Sequence, residues 1–136
     1  MPEWKTVLPE LGWIKDEELR SAVVRVWDAA FERGGWTEKD VDSIPFTLLV
    51  PAGEIDLFKH TRIVAGLCRG IAATMKEMQG VDIDDDILIA GALLHDVGKL
   101  LEYRRSGGEV AVARSGKLLR HPLSGMGLAM KEDLPE

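Results

Sequence analysis

The chain has 136 residues, 46% of them apolar and 29% charged. Those values fit one globular domain with its own hydrophobic core and exclude disorder along the whole chain. The formal net charge of −6 excludes broad electrostatic binding to nucleic acid or to an anionic membrane, while a small phosphorylated partner stays open because a bound metal can meet its charge.

Residues 1–15 contain Pro2, Pro9 and Gly12 and read as an irregular lead-in. Asp16 is placed to cap a helix that runs to about Arg33, with Leu19, Val23, Val26, Trp27 and Ala30 on one face and Gly34-Gly35 as its stop. Thr37 begins a short capped turn. Pro45 and Pro51 bracket an extended apolar run, Phe46 to Val50. A long helix is predicted over Ile55 to Met78, with Leu57, Ile63, Val64, Leu67, Cys68, Ile71 and Met75 as its apolar stripe and Gly80 as its stop. Asp82, Asp84, Asp85 and Asp86 precede the next helix, predicted over Ile87 to Leu101, and are read as caps that complement its dipole. Ser106-Gly107-Gly108 breaks that helix. Glu109 to Arg114 alternates weakly, as a hairpin arm would, with Ser115-Gly116 turning it, and a final helix starts near Pro122 and runs towards Lys131. The fold class is all-α, with a short hairpin or irregular segment around 108–118. Residues 1–50 form a helical lead-in packed on a domain spanning 51–136.

Cys68 is the lone cysteine, so no intramolecular disulfide forms, and its apolar neighbours suggest a buried, inert thiol. No run reaches the ~18 apolar residues that span a bilayer. The N-terminus lacks the apolar core of a signal peptide, so a cytoplasmic location is expected. Trp4, Trp13 and Trp36 look exposed and could mark a protein interface, although core packing is the commoner fate of such rings.

The chemistry gathers on three histidines. His95 and Asp96 are adjacent and follow the apolar run Leu88 to Leu94. Ionisable groups behind such a run are costly unless paired or bound to a cation, and neutral imidazole with carboxylate is a good donor set for iron, manganese, zinc or nickel. His60 lies 35 positions earlier on the preceding long helix, and His121 lies 26 positions later, just before the last one. The order His, His-Asp, His is thus spread over three elements that can converge. A basic run, Lys99, Arg104, Arg105, Arg114, Lys117 and Arg120, reads either as a solvated loop or as a phosphate-attracting rim.

Leu93-Leu94-His95-Asp96-Val97-Gly98-Lys99 resembles the central motif of HD-superfamily phosphohydrolases, in the version that continues with a small residue and lysine. His60 in Phe58-Lys59-His60-Thr61-Arg62 resembles the first motif histidine. His121 in Arg120-His121-Pro122-Leu123 is similar to the further histidine of the two-metal subset that includes the HD-GYP proteins. The resemblance implies a helical fold and metal-dependent hydrolysis of a phosphate ester, with a nucleotide or cyclic dinucleotide among the candidates. It assigns His60, His95, Asp96 and His121 as ligands of one or two divalent ions (Fe, Mn, Zn, Ni or Mg). Asp96 and Lys99 become the catalytic residues. Lys99 with Arg104, Arg105 or Arg120 would meet the substrate phosphate. The family also implies a further aspartate ligand well downstream. Asp133 is the nearest acid and falls too early, so it is read as surface, and the C-terminal helices of the domain are expected to lie outside this sequence or to be replaced by a partner chain or solvent. A homodimer is compatible with the reading. An inactive domain serving as a ligand-sensing or interaction module is the alternative.

Overall fold

Asp16 begins the first long helix as its side chain requires: the carboxylate accepts the backbone N–H groups of Glu18 and Leu19, two donors that a helix start otherwise leaves unpaired. The computed structural model describes residues 1–49, 55–132 and 134. Its helices are α1 (Trp4–Val7), α2 (Glu17–Gly34), α3 (Leu57–Gln79), α4 (Asp85–Leu94), α5 (Lys99–Glu102), α6 (Arg114–Leu118) and α7 (His121–Ala129), and a two-stranded hairpin, β1 (Tyr103–Ser106) and β2 (Glu109–Val112), follows α5. The expected all-helical class with a small hairpin holds. The lead-in is more ordered than its prolines suggest, since α1 is followed by a 3-10 turn over Pro9–Trp13. Asp133 and Val50 lie outside the described residues.

α2 is the central strut. It buries Ala22 and, in one cluster shared with Trp4, Leu57, Phe58, Leu93, Val97, Leu100 and Leu128, Leu19, Val23, Val26, Trp27, Ala30 and Phe31. The lead-in and the later helices therefore share one core. Trp4 and Trp36 are buried, so of the two fates open to them core packing holds. Each indole N–H has a partner that lets the ring leave water: Trp4 donates to Asp28 Oδ1 at 2.7 Å and Trp36 to the Leu100 carbonyl at 2.8 Å. Trp13 is half-buried and carries the Arg69 guanidinium 4.5 Å above its ring.

Asp56 caps α3 by accepting from Lys59 N–H. The inward face of α3 matches only part of the stripe that periodicity picks out: Leu57 is buried, and Val64 and Cys68 pack against the core. That face is made of Leu57, Phe58, Thr61, Ala65 and Ala72, whose small members allow close packing on α4, while Ile63, Leu67, Ile71 and Met75 face outward. Cys68 is half-buried rather than buried. The acidic cluster does cap: Asp84 accepts from Asp86 and Ile87 N–H, and Asp86 accepts from Lys15 and Asp16 N–H at 3.0 and 2.8 Å, tying the lead-in to α4.

The helix expected over 87–101 is two. α4 stops at Leu94, residues 95–98 form consecutive turns, and α5 resumes at Lys99. The bonds through this break run three residues back, from Val97 N–H to Leu94 O at 3.1 Å and from Lys99 N–H to Asp96 O at 2.9 Å, a tighter winding than the α-helix. The hairpin also sits earlier than expected. Gly107 and Gly108, at φ 59° and 88°, form its two-residue turn, a conformation that favours glycine at both positions, and Tyr103 pairs with Val112. Ser115 and Gly116 lie inside α6 rather than in a turn.

Arg105 fastens the hairpin to the 3-10 turn Glu38–Ser43, donating to Asp40 Oδ1 and Ser43 Oγ at 2.8 Å each. Asp40 is buried. Burial, the largest influence, raises its pKa, but hydrogen bonds from the Thr37 side chain and backbone and the Arg105 guanidinium together hold it below the ordinary value of 3.8. The stability it adds is therefore present above pH 4 and lost as pH falls through the lowered value. Asp40→Asn should cost about 1–3 kcal/mol at neutral pH in urea unfolding. Its stability should also decline less than the wild type's on acidification below about pH 4.

Candidate metal centre

Three elements deliver the histidines. His60 stands one turn into α3, His95 closes α4, and His121 is the first residue of α7. The tight turns after Leu94 aim Asp96 inward, so that its buried carboxylate faces all three imidazoles. Oδ2 lies 3.4 Å from His60 Nε2 and 3.3 Å from His95 Nε2, while Oδ1 lies 3.3 Å from His121 Nε2. His60 Nε2 and His95 Nε2 are themselves 3.3 Å apart.

Hydrogen bonds on the far side of two rings fix which nitrogen is bare. His95 Nδ1 is 2.7 Å from the Ala92 carbonyl, which only accepts, so Nδ1 carries the proton and the neutral ring turns the Nε2 lone pair inward. His121 Nδ1 likewise donates to Glu102 Oε2 at 2.5 Å, leaving its Nε2 bare towards Asp96. Lone pairs facing a carboxylate repel unless a proton or a cation lies between them. The spacing suits a cation. His60 Nε2, His95 Nε2 and Asp96 Oδ2 form a triangle with sides of 3.3 to 3.4 Å, the edge of a coordination shell whose donors stand about 2.0–2.2 Å from its centre. Among the described residues these three form a group able to hold a metal ion. His121 stands outside that triangle, on the other carboxylate oxygen.

The same crowding shifts the titrations. His95 is raised, first by the hydrogen bond that its protonated form gives Asp96. His60 is lowered, first by burial, which outweighs the attraction of Asp96. Burial pushes Asp96 up, but His95, Lys99 and His121 together hold it below the ordinary aspartate range.

The basic candidates separate. Lys99 is only 8% exposed, which excludes a solvated helix-end cation. Its Nζ donates to the Phe46 carbonyl and lies 3.7 Å from Asp96 Oδ2. Arg120 is next to His121 and bonds Glu102 Oε1 at 3.2 Å, with most of its side chain in solvent. Arg104 is exposed on β1. Arg105 is committed to Asp40 and Ser43.

Two residues were missed. Glu102 is buried and accepts from His121 Nδ1, from His121 backbone N–H at 2.8 Å and from Arg120. Burial raises its pKa, but these bonds hold the carboxyl below the usual range. Phe46 stacks on His60, ring centres 4.8 Å apart and planes within 19°. The three-residue spacing of Lys99 and Glu102 on one short helix could have suggested that both face the site, whereas nothing in the apolar run 46–50 marks Phe46 as a histidine's neighbour. Gly98 completes the support: a Cβ there would lie 2.0 Å from the His121 carbonyl, so α7 rests directly on the backbone behind the pair.

The HD domain family model matches residues 57–136, a span that holds His60, His95, Asp96 and His121. The chain belongs to the HD domain family. It is 33% identical over 99 residues to a dihydroneopterin 2',3'-cyclic phosphate phosphodiesterase of Methanocaldococcus jannaschii, an alignment covering 68% of this chain and 39% of that protein. The chain thus spans well under half the length of this curated relative. No solved structure matches. No helix among the described residues is long and apolar enough to cross a membrane.

In this HD domain Glu102 holds His121 as outer carboxylates commonly hold metal-binding histidines. Glu102→Ala should weaken transition-metal binding roughly 10- to 100-fold, read by competition with a chromogenic chelator, and Glu102→Gln, which still accepts from Nδ1, should recover part of the loss.

Proposed function

We propose that this HD domain hydrolyses a phosphate ester at a divalent-metal centre held by His60, His95 and Asp96, with His121 on the far oxygen of Asp96. The observation that carries the reading is the nearly equilateral triangle of two imidazole nitrogens and a buried carboxylate oxygen. A nitrogen-rich set of this kind suits iron, manganese, zinc or nickel better than magnesium. When bound, one or two such ions supply a water acidic enough to act as hydroxide near neutral pH and neutralise phosphoryl oxygens.

The chain's own groups supply the rest. Asp96 presents one oxygen to each side of the site and so can serve two neighbouring ions or orient the attacking water. Lys99 keeps a positive charge beside Asp96 in a buried setting, where charge is felt more strongly than in water. By exchanging the Phe46 carbonyl for a phosphoryl oxygen it would stabilise the charge that develops during attack. Arg120, largely in solvent and adjacent to His121, is the arginine best placed to meet a phosphate. Arg104 could approach from the hairpin, and Arg105 is assigned to holding the hairpin. The substrate class we favour is a small phosphodiester with a heterocyclic group, such as a cyclic nucleotide, in keeping with the cyclic phosphate ester named for the archaeal relative.

Elemental analysis of protein purified without chelator should find one or two equivalents of a transition metal, absent from His95→Ala. The loaded protein should hydrolyse 2',3'-cyclic nucleotides, and Lys99→Ala should keep the metal while lowering kcat roughly 100-fold. Wild-type protein that takes up no metal after incubation with manganese or iron would remove the reading.

A further inference from the structure

The outward face of α3 has no partner among the described residues. Ile63, Leu67 and Ile71 are 51%, 61% and 59% exposed, and Met75 and Met78 continue the same side to the end of the helix. The spacing of the first four is four residues, so they form one continuous ridge. Alongside runs a furrow of small residues, Gly66, Gly70 and Thr74, at the same spacing; nothing lies within 4 Å of a Cβ placed at either glycine. The five large side chains leave apolar surface on the order of 600 Å² in water, at the upper end of what a monomer exposes in one patch.

We infer that this face pairs with the same face of a second copy of the chain, an inference independent of the reading of the metal centre. Three observations select a second copy. First, ridge and furrow run side by side at the same four-residue spacing, so a two-fold axis can set the ridge of one α3 into the furrow of the other, as an isologous interface requires. Second, the apolar area approaches the roughly 800 Å² per partner of a stable interface before any flanking contacts are added. Third, the charges have been drawn off the face. All four cations of α3 are engaged within the chain: Lys59 with Asp56, Arg62 with Glu10, Arg69 over Trp13 and Lys76 with Asp85. Glu77 is the only acid in the helix. Two copies that each carry a net charge of −6 repel over most of their surfaces, and this face, nearly free of acid, is where they can approach.

The test is light-scattering mass across the micromolar range on the full 136-residue chain. Expected is twice the 15.0 kDa chain mass for the wild type. Leu67→Glu and Ile71→Glu should each weaken the pairing about 100-fold or more, because each places two carboxylates in one apolar interface. Helical circular dichroism and metal content should be unchanged in both. If a glutamate variant loses helix, Leu67→Ala/Ile71→Ala decides, and it too should weaken the dimer. A wild type that stays monomeric throughout the range overturns the inference and leaves the face to another protein or segment. A dimer that persists in the folded glutamate variants or in the double alanine variant overturns it equally.

Discussion

Asp96 sets the terms for everything around it. A carboxylate brought out of water must be met by positive charge or by hydrogen-bond donors, and here it is met by three imidazoles and a lysine ammonium within 4 Å. Two of those imidazoles have committed their proton to the opposite side, so neutral rings alone cannot satisfy it. A proton or a metal ion between the ring nitrogens and the carboxylate relieves the repulsion of their lone pairs. That demand links the fold to the candidate site, because the same three chain segments that converge on Asp96 bring the His60, His95 and His121 nitrogens together.

The scaffold meets this demand by mixing apolar bulk with direct backbone contacts. α2 and the aromatic cluster of Trp4, Trp27, Phe31 and Phe58 set the positions of α3 and α4 from behind. In front, polar anchors fix single residues: the Phe46 carbonyl holds Lys99, Glu102 holds His121, and the indole of Trp36 holds the Leu100 carbonyl between them. The short helix α5 thus sends alternate groups to the site and to the core within four residues.

What could be read in the sequence was what depends on residue type and local spacing. His60, His95, Asp96 and His121 stood out because metal ligation draws on few side chains and every histidine of the chain fell into one order. Asp16 and Asp84 were legible as caps because a cap acts within three residues. The break after Leu94 was not legible. Val97, Leu100 and Leu101 keep a helical pattern going past His95-Asp96, so no residue type marks the turns at 95–98 that separate α4 from α5. The apolar stripe of α3 was right for Leu57, Val64 and Cys68 but misled for Ile63, Leu67, Ile71 and Met75, because periodicity marks apolar faces without saying which one meets the core, and alanines at 65 and 72 took that place. Phe46, Glu102 and the pairing of Arg105 with Asp40 depend on contacts between residues 14 to 65 positions apart, distances at which no spacing rule operates.

Gly98 and Gly125 meet at the junction of α5 and α7: a Cβ on Gly125 would lie 3.3 Å from the Gly98 nitrogen, and one on Gly98 would lie 2.6 Å from the Gly125 nitrogen. Two main chains touch there with no side chain to yield between them. The small residue of the motif therefore encodes a separation between segments rather than a contact with substrate. Drift at either position would have to be matched at the other, so among relatives these two sites should change together and stay small together, even where the ligands they support have long been fixed.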